Sequence, residues 1–199
     1  MKYPKLREIK GAITSLFSKA YTTKFPKKPC IPFRAFRGRP YYYEDKCIGC
    51  TACVNVCPTK ALNFKDVAEN GRAKRVFTVN WDVCIACGQC QLNCVSVEGI
   101  MLSNEFDIAT TENRKSLIQT IEKEMIFCEC CNRAFACKDH LDWTIKKLGA
   151  LYPPNTTLLT FAQSMLFGKK CYAADKLLKR ASRFSILCPD CRRETVFSS

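Results

Sequence analysis

A chain of 199 residues with a formal net charge of +14 can form one compact domain and a small appendage. Its first residues lack an apolar core followed by a small-residue cleavage site, and no apolar run reaches about 18 residues, so we expect neither a signal peptide nor a membrane-spanning helix. Sixteen cysteines without export signals indicate metal binding in a reducing compartment rather than disulfides.

Positive charge and an amphipathic pattern coincide at the start of the chain. Residues 1–46 contain twelve Lys or Arg and three Asp or Glu, which gives +9 of the net charge. From Lys5 to Ala20, apolar residues recur at helical spacing: Leu6, Ile9, Ile13, Leu16, Phe17 and Ala20. Such a helix can lie on an anionic membrane surface, dock in the groove of a partner, or fold back on its own core.

An extended connector is predicted next, because four prolines follow at positions 26, 29, 32 and 40. Arginines alternate with aromatic residues over residues 33–40, a pattern compatible with nucleic-acid binding, but we expect an arm that presses against a neighbouring protein. Residues 1–40 are therefore predicted to form an N-terminal arm.

Eight cysteines between positions 47 and 94 form two copies of the pattern C-x2-C-x2-C-x3-C. This run ligates [4Fe-4S] clusters in two-cluster ferredoxins, where the fourth cysteine of each run serves the other cluster. One cluster is therefore assigned to Cys47, Cys50, Cys53 and Cys94. The second is assigned to Cys84, Cys87, Cys90 and Cys57. Zinc sites and disulfide frameworks do not predict this run twice.

Short strands are expected on either side of the second cysteine run. Residues 61–64, 75–80 and 100–102 have strand-like composition, and Asn70-Gly71 is a strong hairpin signal. Residues 41–104 are thus predicted to form a ferredoxin-like domain of two similar halves, which places the chain in the α+β class.

Residues 105–199 are predicted to form a helical extension closed by a third metal site. Helical periodicity occurs after Thr111, from Lys138 to the Pro153-Pro154 pair, and over residues 158–167 and 173–183. Two C-x2-C pairs supply four thiolates suited to zinc or to a single rubredoxin-type iron: Cys128, Cys131, Cys188 and Cys191. Cys130 is a competing ligand.

The other cysteines and the single histidine have no motif partner. We expect Cys30, Cys130, Cys137 and Cys171 to be small buried hydrophobic residues. A capping or surface role is expected for His140, in preference to metal ligation or proton relay.

The chemistry allowed by these motifs is electron transfer. Clusters whose four corners are all held by cysteine have no open position for a substrate and pass single electrons. The sequence offers no constellation of nucleophile, base or open metal site. The chain is therefore predicted not to be an enzyme by itself.

In its motifs the chain resembles the two-cluster iron–sulfur subunits of membrane-bound, energy-converting [NiFe]-hydrogenases of the formate hydrogenlyase type. The resemblance is carried by the amphipathic arm, Phe36-Arg37-Gly38-Arg39-Pro40, the doubled cysteine run, the segment Cys131-Asn132-Arg133-Ala134-Phe135-Ala136, and Cys188-Pro189-Asp190-Cys191. The chain departs from the pattern at Cys130, at Val95 and in the long segment between the last two cysteine pairs.

The resemblance implies a position at the cytoplasmic face of the cell membrane, as a peripheral subunit. Electrons would enter from a ferredoxin or another iron–sulfur subunit and leave to the hydrogenase small subunit. Hydrogen evolution would be coupled to ion translocation, and the N-terminal helix would contact the membrane arm. Nucleic acid is not an expected partner.

Three other functions fit parts of the sequence. A two-cluster subunit of a complex I type quinone oxidoreductase shares the same motifs, and a free ferredoxin shares the core. A zinc-dependent nucleic-acid-binding protein would explain the charge and the arginine-aromatic arm. Protein purified without oxygen should be brown, with about eight irons, whereas colourless, zinc-only protein would favour the last reading.

Overall fold

The computed structural model describes residues 5–69, 71–111, 113–167 and 185–197. The chain divides into two units, with the boundary between Phe36 and Arg37. The strands are β1 (Pro40–Tyr42), β2 (Leu62–Glu69), β3 (Arg72–Asn80), β4 (Ile100–Leu102), β5 (Ile118–Phe127) and β6 (Ala134–Cys137). The helices are α1 (Leu6–Phe17), α2 (Ala52–Asn55), α3 (Gln89–Leu92), α4 (Lys138–Leu148), α5 (Thr156–Phe167) and α6 (Pro189–Phe197).

The first unit contains helix α1, which lies within the range that the sequence predicts. The Glu8 carboxylate accepts a hydrogen bond from the Lys5 backbone N–H at 3.0 Å, which satisfies one of the free amides at the start of the helix. The extended backbone of Ser18 ends the helix. Its apolar stripe is exposed, with Leu6 and Phe17 each at 87% of full exposure.

Two short strands join the segments that flank the cysteine runs. β1 pairs antiparallel with β4, with Tyr42 opposite Ile100. The sequence predicts β4 but not β1, because three residues beginning with a proline at the end of a connector carry little strand signal. This pairing brings the residues before the first cysteine run next to those after the second.

The second sheet has four antiparallel strands in the order β2-β3-β5-β6. The strands predicted over residues 61–64 and 75–80 are confirmed and extend into a longer hairpin. Glu69 pairs with Arg72, which leaves two residues for the turn, as an Asn-Gly turn requires. Asn70 itself lies outside the described residues.

The prediction of a helix after Thr111 is wrong. A short 3-10 turn, Arg114–Leu117, leads into strand β5, which pairs with β3 along its length. Alternate side chains of β5 face inward, including Ile121, Lys123 and Met125. The buried lysine hides the alternation of polar and apolar residues in the sequence, so the residues on either side of it match a helical spacing equally well. The extension predicted as helical is therefore partly β-structure, and its sheet is shared with the cysteine-rich segment.

The later helices follow the predicted pattern where the structure describes them. Helices α4 and α5 confirm the helical stretches expected from Lys138 and over residues 158–167, whereas the stretch 173–183 lies outside the described residues. The main hydrophobic core consists of Tyr42, Cys53, Leu62, Phe77, Val79, Trp81, Cys90, Ile100, Leu117 and Ile121. Within the described ranges, every helix is too short or too polar to cross a membrane.

Candidate metal centres

One cavity is lined by four cysteines drawn from both cysteine runs. Two come from the loop that leads into α2, the third lies in α2, and the fourth follows α3: Cys47, Cys50, Cys53 and Cys94. Tyr42, Phe77 and Ile100 close the inner wall. We call this cavity the first site.

A second cavity repeats the arrangement with the other four cysteines. Two come from the loop that leads into α3, the third lies in α3, and the fourth follows α2: Cys84, Cys87, Cys90 and Cys57. We call this cavity the second site. The structure thus brings together the same two sets of four cysteines that the spacing predicts, each set drawing one member from the opposite run.

Gly49 allows the first cysteine loop to lie close against strand β6. Its backbone has a φ of +75°, and a side chain there would place its first carbon 2.6 Å from the Sγ of Cys137. Only glycine accepts both the left-handed conformation and this approach without strain. Cys137 is fully buried, so the contact has no room to relax.

Hydroxyl groups contact three of the eight cysteine sulfurs. The Tyr42 hydroxyl lies 3.3 Å from the Sγ of Cys53. The fourth cysteine of each run also has a hydroxyl two residues later, with Ser96 Oγ 3.4 Å from Cys94 Sγ and Thr59 Oγ1 3.8 Å from Cys57 Sγ. Sequence reasoning missed these contacts, although the repeated Cys-x-Ser/Thr spacing was a visible signal.

Burial and hydrogen bonding shape the acidity of these thiols. Burial raises the pKa of Cys53 to about 12 and that of Cys90 to about 11. Burial also acts to raise the pKa of Cys57, but hydrogen bonds from the Leu62 backbone and the Thr59 side chain outweigh it and lower that pKa below its usual value. Buried thiolates need a cationic partner, so both sites have the donor chemistry that an iron–sulfur cluster requires.

Arg37 and Arg39 contact the second site and its neighbouring strand instead of projecting outward. The Arg37 guanidinium donates to the backbone oxygen of Cys87 at 3.0 Å. Arg39 lies over the Trp81 ring, 4.4 Å from its centroid, and its Nε donates to Glu105 at 2.7 Å. The segment expected to press against another protein is therefore, from Arg37 onward, part of the cysteine-rich unit.

A third group of cysteines lies in the loop between β5 and β6 and at the start of α6. The Sγ atoms of four residues lie within 4.8 Å of one another: Cys128, Cys131, Cys188 and Cys191. All but Cys131 are buried. A tetrahedral ion with zinc–sulfur bonds of about 2.3 Å needs sulfurs about 3.8 Å apart, and Cys131 and Cys188 have this separation at 3.8 Å.

Backbone amides and an arginine prepare this third group to bind a cation. The Cys191 backbone N–H donates to Cys188 Sγ at 3.5 Å, and the Cys188 N–H donates to Cys128 Sγ at 3.3 Å. The first of these bonds, helped by Arg133, lowers the pKa of Cys188 below its usual value. A thiolate at neutral pH is the form that binds metal, so the four residues fit a zinc or iron ion.

The remaining cysteines are in different surroundings. Cys137 is buried, Cys30 is half-buried and Cys130 is exposed, so the expectation of burial is wrong for Cys130. Cys171 lies outside the described residues. His140 is half-buried in α4, and burial together with the charge of Arg75 lowers its pKa.

Comparison with known proteins identifies the family to which the chain belongs. Residues 46–97 match the family described as "4Fe-4S dicluster domain". Formate hydrogenlyase subunit 6 of Escherichia coli (strain K12) is 34% identical over 127 residues, which are 64% of this chain and 68% of that protein. The chain belongs to this subunit's family. It is therefore an iron–sulfur electron-transfer subunit of an oxidoreductase complex and not an enzyme in its own right.

Two further similarities extend beyond formate hydrogenlyase. NAD(P)H-quinone oxidoreductase subunit I of Gloeobacter violaceus is 30% identical over 49% of this chain and 47% of that protein. A chain of the membrane-bound sulfane sulfur reductase, an archaeal respiratory membrane complex, matches at 24% identity and a TM-score of 0.40, over 59% of this chain and 62% of that one. The matches cover less than two thirds of both proteins.

Proposed function

We propose that the chain relays single electrons through two [4Fe-4S] clusters to the small subunit of a membrane-bound [NiFe]-hydrogenase complex of the formate hydrogenlyase type. The observation that carries the proposal is the grouping of eight cysteines around two cavities, each served by both runs. The 34% identity to formate hydrogenlyase subunit 6 supports the choice of complex.

Each cavity holds one cluster in this proposal. Cys47, Cys50, Cys53 and Cys94 ligate the first cluster. Cys84, Cys87, Cys90 and Cys57 ligate the second. When bound, the clusters supply one-electron transfer and have no free coordination position. The inner cysteines, Cys53 and Cys90, belong to the same hydrophobic core, so buried apolar side chains support both sites.

The third group of cysteines holds a structural metal ion in this proposal. Zinc fits four thiolates in a closed tetrahedral site, and a single rubredoxin-type iron fits them equally well. The site connects the end of β5 to α6, because Cys128 follows β5 and Cys191 lies in α6. Its role is therefore to hold the C-terminal helix against the sheet.

Helix α1 is the proposed contact with the membrane arm. Its exposed apolar stripe and basic residues suit an anionic membrane surface or the groove of a membrane subunit. Through this contact the chain would sit at the cytoplasmic face of the membrane. Electrons would reach it from a ferredoxin or from another iron–sulfur subunit.

A complex I type quinone oxidoreductase is the second candidate, favoured by the 30% identity to the Gloeobacter violaceus subunit. Both candidates use the same two sites and differ in the terminal acceptor.

Purification of the native complex through this chain, without oxygen, separates the candidates. The proposal predicts a nickel-bearing subunit in the complex, hydrogen evolution, and about eight irons in the isolated full chain. Quinone reduction by a nickel-free complex would support the second candidate. A colourless chain that carries only zinc and binds nucleic acid in a salt-sensitive manner would contradict both.

A further inference from the structure

Tyr42 breaks the symmetry between the two proposed clusters. It stands five residues before the first cysteine of its run, and Val79 stands five residues before the first cysteine of the other run. Both side chains are buried, at 4% and 0% exposure. Only Tyr42 has a hydroxyl group, and that group lies 3.3 Å from the Sγ of Cys53.

The corresponding cysteine of the second site has a different environment. Cys90 is the third cysteine of its run, as Cys53 is of the first, and both are buried. The interactions that act on the Cys90 thiol come from the backbone of Gln91 and of Cys90 itself and from neighbouring cysteines. The tyrosine contact thus distinguishes two otherwise similar positions.

The fold holds the Tyr42 hydroxyl in place from three sides. The backbone of Tyr42 is paired with Ile100 across the β1-β4 sheet. The Gln119 side chain accepts from its N–H at 2.9 Å and donates to its carbonyl oxygen at 3.0 Å. The ring packs against Phe77 with centroids 5.7 Å apart. These contacts fix the Tyr42 backbone and ring, and with them the position of the hydroxyl oxygen beside Cys53 Sγ.

The remaining hydroxyl contacts are matched between the sites. Ser96 serves Cys94 of the first site, and Thr59 serves Cys57 of the second. Because these two contacts act in parallel, they cannot separate the two potentials as strongly as an unmatched one.

We propose that Tyr42 is a positioning residue that raises the reduction potential of the first cluster relative to the second. The inference rests on the proposed function. One-electron reduction adds negative charge, which the thiolate sulfurs share, and a donor aimed at a sulfur stabilises the reduced form more than the oxidised form. The first cluster should therefore be easier to reduce with Tyr42 than with a phenylalanine at this position.

The test is a redox titration, followed by electron paramagnetic resonance, of the full chain with both clusters present. In Tyr42→Phe, one midpoint potential should fall by about 59 mV, which corresponds to a tenfold change in a one-electron equilibrium, while the other stays unchanged. Ser96→Ala should move the same signal, and Thr59→Ala should move the other, which assigns the signals to the sites.

Tyr41→Phe is the matched control. It removes a hydroxyl from the neighbouring residue of the same strand, where the hydroxyl donates to Glu105 at 2.8 Å instead of to a cysteine. Both potentials should keep their wild-type values in this variant.

Unchanged or equally shifted potentials in Tyr42→Phe would overturn the inference. Loss of four irons from that variant would overturn it as well, because Tyr42 would then be needed to build the site and not to tune it. Failure of the two-cluster assignment would look different, since the wild-type chain itself would then lack two clusters, and a wrong choice of complex would change the subunits and activity that co-purify but not the shift in Tyr42→Phe.

Discussion

Single residues at the first site have little freedom to change. Gly49 combines a left-handed backbone with a close approach to Cys137, whereas Gly71 has nearly the same φ, +74°, with open space around it. Substitution at Gly71 therefore tests the cost of the left-handed backbone alone, whereas substitution at Gly49 adds the cost of a steric clash with Cys137.

Gly49→Ala should lose the first cluster, because the added carbon would lie 2.6 Å from a buried sulfur and the loop that carries three ligands would have to move. Iron analysis should give about four irons for each chain in place of about eight. Gly71→Ala carries the same backbone strain in the hairpin turn and should keep both clusters. Equal iron contents in the two variants would show that the contact with Cys137 does not matter.

His140 makes the folded chain sensitive to pH. Its pKa is lowered from the usual 6.5 by burial and by the charge of Arg75, so the unfolded chain binds a proton more readily than the folded chain does. Stability should therefore fall as the pH decreases from about 6.5 towards the lower pKa of the folded state. His140→Gln should have a flatter profile over this range, measured by urea unfolding without oxygen. Parallel profiles for the two proteins would refute the assignment.

At the scale of elements, the sequence predicts best where one signal dominates. Helices α1, α4 and α5 follow apolar stripes, and the β2-β3 hairpin follows an Asn-Gly turn between strand-forming residues. Strand β5 is not predicted because Lys123 occupies an inward position. Its ammonium group donates to the Glu44 backbone oxygen and, at 3.0 Å, to the Asp139 carboxylate. Strand β1 is too short to predict alone, because it depends on pairing with β4, about sixty residues away.

For the metal centres too, the sequence predicts what local spacing determines and not what depends on distant strand pairing. The spacing of the cysteines contains enough information to group them, since the motif is local and repeated. The Tyr42 hydroxyl and the Arg37 guanidinium reach their sites only through sheet pairing and through the path of the connector. Neither contact follows from spacing.

Helix α1 can be tested through its two faces. Ile13→Glu places a charge in the exposed apolar stripe, and Ser15→Glu places the same charge on the opposite face of the helix. If the stripe contacts the membrane arm, Ile13→Glu and deletion of residues 1–25 should release a cluster-loaded subunit from the purified complex, whereas Ser15→Glu should remain bound. Normal assembly of all three variants would remove this role from α1.

The third metal site can be tested with neighbouring cysteines. Cys191→Ser should lose the third metal ion and expose the C-terminal segment to proteases, because a buried ligand is removed. Cys130→Ser changes an exposed cysteine outside the four-sulfur group and should keep the ion. Zinc and iron analysis of both variants provides the measurement, and loss of the ion from Cys130→Ser alone would reassign the site.

At the scale of the whole molecule, our proposal links the two halves of the cysteine-rich unit through exchanged cluster ligands. Each cavity takes its fourth cysteine from the opposite run, so neither half can complete its own site. Under the proposed ligation, folding and cluster binding should therefore depend on each other, and one hydrophobic core contains a cysteine from each site, Cys53 and Cys90.

The exchange of ligands is tested most directly by two double variants of the full chain, prepared without oxygen and studied by iron analysis and electron paramagnetic resonance. Cys57→Ala with Cys84→Ala removes two ligands from the second site only, so about four irons and one intact [4Fe-4S] signal should remain. Cys57→Ala with Cys47→Ala removes one ligand from each site, so no site should keep four cysteines. The opposite result, an intact cluster in the second double variant and none in the first, would show that each run ligates its own cluster and would contradict the account.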